Sequence, residues 1–202
     1  HDSIEGRNVI TTKGAIHYLT ESEIFKNKDY LNSFIKKDDR KICALVLGGP
    51  TKYYDYSLKN IENIFSTLKE FLKKNDFQLV VIPSMRTPKT SIDYAAKYFG
   101  KNHTIIEKVD KRAYLSALCV SKNIVITCDS SSMISEAALT GKPIYIANLL
   151  PRKNDKRFQK FRNLFRQLNI TRNLGEEVEN WTYKKLDETN RVANIIKQKI
   201  NS

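Results

Sequence analysis

Disulfide and zinc chemistry have little to work with in this chain. Its three cysteines, Cys43, Cys119 and Cys128, are odd in number, widely spaced and without a CxxC pair, so neither a disulfide framework nor a zinc knuckle is encoded. Cys43 and Cys119 lie inside apolar runs, where a thiol behaves as a small core side chain, and a reducing cytoplasm is the expected setting. Histidine is scarce too: only His1, His17 and His103 are present. With no HExxH and no DxD, metal-assisted transfer lacks obvious ligands, and neither a metal nor a cofactor is expected. The nucleophile elbow GxSxG is missing as well. No apolar stretch approaches the roughly 20 residues a membrane-spanning helix requires, and no charged-then-apolar leader precedes the first apolar run. The chain starts at His1, not Met, and reads as a fragment or a trimmed product.

Acidic residues are also few relative to basic ones, leaving a formal charge of +13 on 202 residues. Such a surface attracts phosphate-rich partners: nucleotide-linked substrates, anionic lipid or nucleic acid. The charge is dispersed and no nucleic-acid recognition motif accompanies it, which sets nucleic acid last among these. Apolar residues at 41% describe an ordinary globular chain and exclude a disordered one.

Apolar runs alternate with amphipathic stretches. Residues 8–12 suggest a short strand. Residues 21–37 place Ile24, Phe25, Leu31 and Phe34 at helical spacing, with Thr20 or Ser22 available as a cap. A buried strand at 42–47 stops at Gly48, Gly49 and Pro50, and 58–74 carries an apolar stripe of helical period. Strands follow at 78–82, 104–107, 124–127 and 143–147, the last of the series, separated by helices at 89–99, 113–121 and 131–139. From Pro151 onward the pattern is helical and basic, ending in a helix over 183–200. One apolar strand per helix-length crossover predicts a doubly wound, mostly parallel, Rossmann-like α/β sheet with C-terminal helices. The domain reading is a leading segment at 1–20, a Rossmann-like α/β domain at 21–172 and a helical extension at 173–202.

Ligands of open parallel sheets bind beyond the carboxyl ends of the strands, and four segments fall on that edge. After the strand at 124–127 come Asp129, Ser130, Ser131, Ser132 and Met133, leading directly into a helix. A helix start offers free N–H groups and the positive end of a dipole to an anion, and serine hydroxyls add donors without bulk. Glu136, one turn further on, is placed to reach a ribose; ordinary N-capping explains the serines equally well. Gly48 and Gly49 let backbone approach a diphosphate, with Thr51 as a hydrogen-bonding hydroxyl, although a simple tight turn reads the same way. Arg86, after the strand at 78–82, is a candidate phosphate clamp, and an ordinary surface arginine reads the same way. The fourth segment follows Glu107. His17, after a glycine loop, reads either as a catalytic histidine or as a surface residue.

Several runs carry a resemblance to a known family. They are His1 and Asp2 with Gly6, Asn8 and Val9; Thr12, Lys13, Gly14, Ala15, Ile16 and His17 with Thr20; Gly48, Gly49 and Pro50; and Ser84, Met85, Arg86, Thr87 and Pro88. Thr127 to Ala137, Thr140 to Pro143, Lys156 to Phe158, and Ile170 to Arg172 complete the set. In this order they resemble the mitochondrial fission (elongated-mitochondria type) family, whose bacterial members are assigned to glycosyltransferases of GT-B fold. The resemblance implies the C-terminal, donor-binding half of such a protein, with a nucleotide-diphosphate sugar as substrate and no metal. It carries phosphate and ribose contacts onto Ser131, Ser132 and Glu136, and the glycine turn onto Gly48 and Gly49. It also implies an N-terminal acceptor domain that this chain does not include. The rival readings are a non-catalytic interaction module of degenerate transferase fold and a sugar-nucleotide epimerase.

One segment remains. Between 151 and 172, Arg152, Lys153, Lys156, Arg157, Lys160, Arg162, Arg166 and Arg172 face a single acid, Asp155, while Phe158, Phe161, Leu164, Phe165 and Leu168 share a helical face. Such a helix suits either a core contact with a solvated basic face or peripheral attachment, through 152–166, to the anionic inner surface of a membrane.

Overall fold

The computed structural model describes residues 6, 8–177 and 180–201. His1 and Asp2, part of the family resemblance, lie outside the described residues. Six strands, β1 (Lys41–Leu47), β2 (Phe77–Pro83), β3 (Thr104–Ile105), β4 (Asn123–Thr127), β5 (Ile144–Ala147) and β6 (Thr171–Asn173), form one sheet in the order β3-β2-β1-β4-β5-β6. Every pairing is parallel. This is the strand order of doubly wound dinucleotide-binding folds, in which the chain reverses its direction of travel between the first and fourth strands. β1 occupies the centre, Leu45 lying opposite Val81 of β2 on one side and Val125 of β4 on the other. All of β2 and β4, and the last five residues of β1, are buried, which is why these strands read as unbroken apolar runs.

The helices α1 (Glu21–Lys26), α2 (Leu58–Asn75), α3 (Lys89–Phe99), α4 (Lys111–Val120), α5 (Ser131–Ala137), α6 (Lys156–Gln167) and α7 (Glu188–Ile200) connect and flank the strands. In α2 the apolar stripe Ile61, Ile64, Phe65, Leu68, Phe71 and Leu72 is buried, and α2 packs on α3 while α4 packs on α1. α3 stops where Gly100 takes φ +63°, a left-handed conformation open to glycine at no steric cost. α6 turns Phe161 and Phe165 into the core, with Phe158 packed against it. The phenylalanine face of the basic segment is therefore a core contact, and what remains outside is charge.

Four features differ from the sequence expectations. Residues 8–12 form no strand. They belong to a strap, clamped by Lys13 N–H to Glu188 Oε2 (2.8 Å), Ala15 N–H to Ser135 Oγ (2.9 Å) and His17 N–H to Thr189 Oγ1 (3.1 Å). Its donors go to side chains, so no ladder is needed to satisfy them. The helix expected over 21–37 ends at Lys26, and a single 3₁₀ turn, Tyr30–Ser33, follows. Asn27, Asn32 and Ser33 bond locally to backbone or to Asp29, the competition that disfavours these residues in helix interiors. Phe34, beyond the helix end, stays exposed, as does Phe25 on the outer face of α1. The strand series does not end at Ala147: β6 adds a sixth, polar edge strand. Finally, the last helix begins at Glu188, where Asp187 caps it by accepting from Asn190 N–H (3.0 Å), and Tyr183 anchors the preceding segment by donating to the Lys142 carbonyl (2.8 Å).

Candidate functional site

The reversal point between β1 and β4 gathers three of the anticipated rim segments. Gly48 N–H donates to Thr127 Oγ1 (2.8 Å) and Gly49 N–H to Asp129 Oδ2 (3.1 Å). From the loop after β2, Arg86 donates to the Gly49 carbonyl (2.9 Å) and to Asp129 Oδ2 (3.0 Å). Tyr56 Oη lies 2.7 Å from Asp129 Oδ1 and 2.8 Å from Thr127 Oγ1. Burial, and then the adjacent Asp129 carboxylate, push this phenol far above its ordinary pKa. The Asp129 side chain is wholly shielded, whereas that of Arg86 is 43% exposed, so the pair presents its cationic half to solvent. The glycine turn thus faces a built-in carboxylate, and its amides are already engaged.

Thr51 stands apart from this network. Its Oγ1 accepts from the N–H groups of Tyr53 and Tyr54 (3.1 Å each), closing a turn in the β1–α2 loop. His17 sits on the strap, held by Thr189 at both its N–H and its carbonyl. Its Nδ1 is buried without a hydrogen-bond partner.

The serine-led turn opens α5. Ser130 caps it, its Oγ accepting from Met133 N–H (3.3 Å), and the Ser131 carbonyl accepts from Ser135 Oγ (2.8 Å). Ser131 is half-buried and Ser132 exposed, and as the first two helical residues their N–H groups have no intrahelical acceptor. Glu136 lies one turn on, its Oε2 accepting from Tyr114 Oη (2.7 Å). Burial first, and then the Glu136 charge, raise the Tyr114 phenol well above its usual value, so it stays protonated and acts as a donor to the carboxylate.

Beside this turn lies an open cavity of about 320 Å³. Its floor is Val46 and Pro83, from the ends of β1 and β2, with Met133 of α5. Ser84, Met85, Val109, Asp110, Lys111, Tyr114 and Tyr18 form its walls. Of the anticipated site residues only Met133 is among the lining groups, with Ser130, Ser131, Ser132 and Glu136 on the same short helix or its cap. Tyr18, Met85 and Val109 are exposed apolar residues around the mouth. Lys111 lies over the Tyr18 ring at 4.8 Å from its centroid and pairs with Glu23 (2.7 Å). Sequence reasoning missed Tyr18, Tyr56 and Tyr114 as site residues. For Tyr114 a signal existed: the first turn of α4 follows β3, on the same carboxyl edge. Among the described residues no group of three or more His, Cys, Asp or Glu side chains is arranged to hold a metal ion, and no helix is long and apolar enough to cross a membrane.

The family model described as mitochondrial fission ELM1 matches residues 1–200. The chain belongs to the mitochondrial fission ELM1 family. Within reach of this ELM1-family chain is the uncharacterized protein RP120 of Rickettsia prowazekii (strain Madrid E), 29% identical over 216 aligned positions that cover 98% of this chain and 57% of that protein. The mitochondrial fission protein ELM1 of Arabidopsis thaliana is 22% identical, with 96% of this chain and 46% of that protein covered. The chain therefore spans about half the length of the curated relatives it matches. Among solved structures it is similar to the UDP-GlcNAc 2-epimerase of Neisseria meningitidis bound to UDP-GlcNAc, at 16% identity and TM-score 0.48, covering 90% of this chain and 49% of that one. It is also similar to the wall teichoic acid polymerase TagF, at 13% identity and TM-score 0.38, covering 88% of this chain and 38% of that one.

Proposed function

We propose that this ELM1-family chain is the donor-binding half of a glycosyltransferase-like enzyme and holds a nucleotide-diphosphate sugar at the β1–β4 reversal point. One observation carries the reading: an open, largely apolar cavity stands over the carboxyl ends of β1 and β2, beside a serine-led helix start and a Tyr114–Glu136 pair. Its volume suits a nucleoside. The base enters between Tyr18, Met85 and Met133, and the ribose hydroxyls meet Glu136. The diphosphate rests on the N–H groups and hydroxyls of Ser131 and Ser132 with the exposed edge of Arg86 nearby. Gly48 and Gly49 serve indirectly, by letting Asp129 and Arg86 close onto β1. Donors fixed before the ligand arrives stabilise the charge that builds on a departing nucleoside diphosphate. The acceptor, and any base that activates it, belong in this reading to the half of the longer relatives that this chain does not span.

The test is calorimetric titration with uridine, guanosine and cytidine diphosphates. One of them binds saturably, and Glu136→Gln weakens it by about tenfold, the loss expected for one charge-assisted hydrogen bond. If none binds, either to this chain or to a full-length relative, the reading fails.

Peripheral attachment to an anionic membrane is an ancillary part of the proposal, supported by the exposed Lys153, Lys156 and Lys160. With Phe161 and Phe165 in the core it rests on charge alone. Sedimentation with anionic liposomes is expected at low salt and lost at about 0.5 M salt, where screening is strong; retention at high salt contradicts a purely electrostatic contact.

A further inference from the structure

A second concave site lies along the sheet edge opposite β3. There α6 faces β5 and β6 across a groove of about 290 Å³. The face that α6 turns toward it is polar: Gln159, Arg162, Asn163 and Arg166, spaced i, i+3, i+4 and i+7. Opposite stand Asn148 and Asn173, at the carboxyl ends of β5 and β6, with Arg172. Seven nitrogen-bearing side chains thus surround one recess.

We propose that this groove binds a phosphomonoester, its phosphate held by Arg162 and Arg166 and the remainder of the ligand by the asparagine amides. The guanidiniums are fixed in advance. Arg162 is 17% exposed and donates through Nη1 to Tyr54 Oη (2.9 Å) and through Nη2 to Asp155 Oδ2 (3.0 Å). Arg166 donates through Nη1 to Glu176 Oε1 (2.7 Å). A guanidinium carries five N–H donors in a rigid fork, so each keeps capacity for a second oxyanion after these contacts. Arg172 is steadied by the Trp181 ring, 4.8 Å from its centroid, and by Asn169 Oδ1 (2.6 Å). Asn148 Nδ2 donates to Asn173 Oδ1 (3.0 Å) and Asn173 Nδ2 to Glu176 Oε1 (2.9 Å), which leaves the second N–H of each amide for the ligand. Donors that need no reordering lose little entropy when a ligand arrives. The recess is larger than phosphate alone requires, which is the reason for assigning a phosphorylated polyol in place of the bare ion. The site is separate from the nucleotide cavity and does not depend on it: Asn148 and Asn173 stand one and two strand spacings beyond β4, about 5 and 10 Å.

The test follows amide and arginine Nε–H resonances of the intact chain during titration with inorganic phosphate, then sn-glycerol 3-phosphate. The expected result is saturable shifts confined to Asn148, 159–166 and 171–173, with glycerol 3-phosphate the tighter ligand. Arg166 is exposed, so Arg166→Gln folds normally, and it weakens glycerol 3-phosphate about tenfold. Asn163→Asp, also at an exposed position, brings a negative charge to the groove and weakens binding similarly. Vesicles containing phosphatidic acid identify the source of the phosphate. Binding that glycerol 3-phosphate displaces assigns a lipid headgroup; no vesicle binding beside tight glycerol 3-phosphate assigns a soluble ligand, and either supports the groove. Shifts scattered over surface lysines, no saturation by about 10 mM ligand, or full affinity in both variants would overturn it.

Discussion

Asp155→Ala is expected to cost about 3–5 kcal/mol of stability, the range for breaking a buried ion pair by removing one partner. For a chain of this length that is on the order of 10 °C in Tm. Asp155 precedes α6 where an N-cap belongs, yet its side chain makes no capping bond. The carboxylate instead accepts from Tyr54 Oη (2.5 Å), Gln159 Nε2 (2.6 Å) and Arg162 Nη2 (3.0 Å). Tyr54 is fully buried and Asp155 nearly so, so truncation strands a phenol and a guanidinium that water reaches poorly. Tyr54→Phe leaves Asp155 and Arg162 to each other and should cost only about 1–2 kcal/mol. Urea and thermal unfolding measure both, and a loss below about 1 kcal/mol for Asp155→Ala would show that the pair is solvated. The network also fixes a sign for pH. Burial pushes the Asp155 carboxyl up, but hydrogen bonds from Tyr54 and Arg162 outweigh it and hold the group below its ordinary value. Its contribution is therefore complete above the unfolded carboxyl pKa, near 4, and fades as pH falls through the lower folded value. Asp155→Ala should flatten the acid limb of the stability profile.

The same network ties the β1–α2 loop to the β5–α6 loop. Tyr54 bridges Pro151, Arg152 N–H donates to the Tyr53 carbonyl (2.6 Å), and Arg152 pairs with Asp55 (2.9 Å). Loosening it should disturb the rim as well as the core.

Burial decides how much of this was legible beforehand. β1, β2 and β4 are covered on both faces, so each is an apolar run with no polar alternation to misread. α2 announces itself because one face alone is buried. β6 carries no such signal: Thr171, Arg172 and Asn173 form a three-residue edge strand that is one side chain deep. The helix expected over 21–37 failed because periodicity ignores Asn and Ser side chains that compete for the backbone. The rim was legible as alternation followed by Gly48 and Gly49 or by Ser130, Ser131 and Ser132, but strand order was not. Only the adjacency of β1 and β4 brings the glycine turn to Asp129, 80 residues away along the chain. Tyr56 has ordinary local surroundings, and Tyr114 is marked only by its place in the first turn after β3. What distinguishes them is contact with Asp129 and Glu136, 73 and 22 residues distant, and no local pattern encodes such pairings.

That adjacency makes the glycine turn the most sensitive backbone position in the site, and Gly48 and Gly49 should fail for different reasons. Neither has positive φ, so an alanine is not strained by backbone conformation and space alone decides the outcome. A Cβ on Gly48 would stand 2.2 Å from Asp129 Oδ2, a side-chain atom, whereas a Cβ on Gly49 would stand 2.0 Å from the Arg86 carbonyl oxygen. Overpacking of this kind costs about 1–3 kcal/mol where neighbours can shift, and Gly49→Ala, opposed by backbone, should exceed that range. Double-mutant cycles separate the two. Gly48→Ala in an Asp129→Ala background should recover about 1–3 kcal/mol of its cost, because the obstructing carboxylate is gone. Gly49→Ala with Arg86→Ala should recover far less, since the carbonyl remains whatever side chain Arg86 bears. Urea unfolding of the four single and two double variants measures both couplings. Equal couplings would mean that the loops after β1 and β2 move apart freely, and a rim that yields so easily is not the preorganised surface that diphosphate binding at α5 requires.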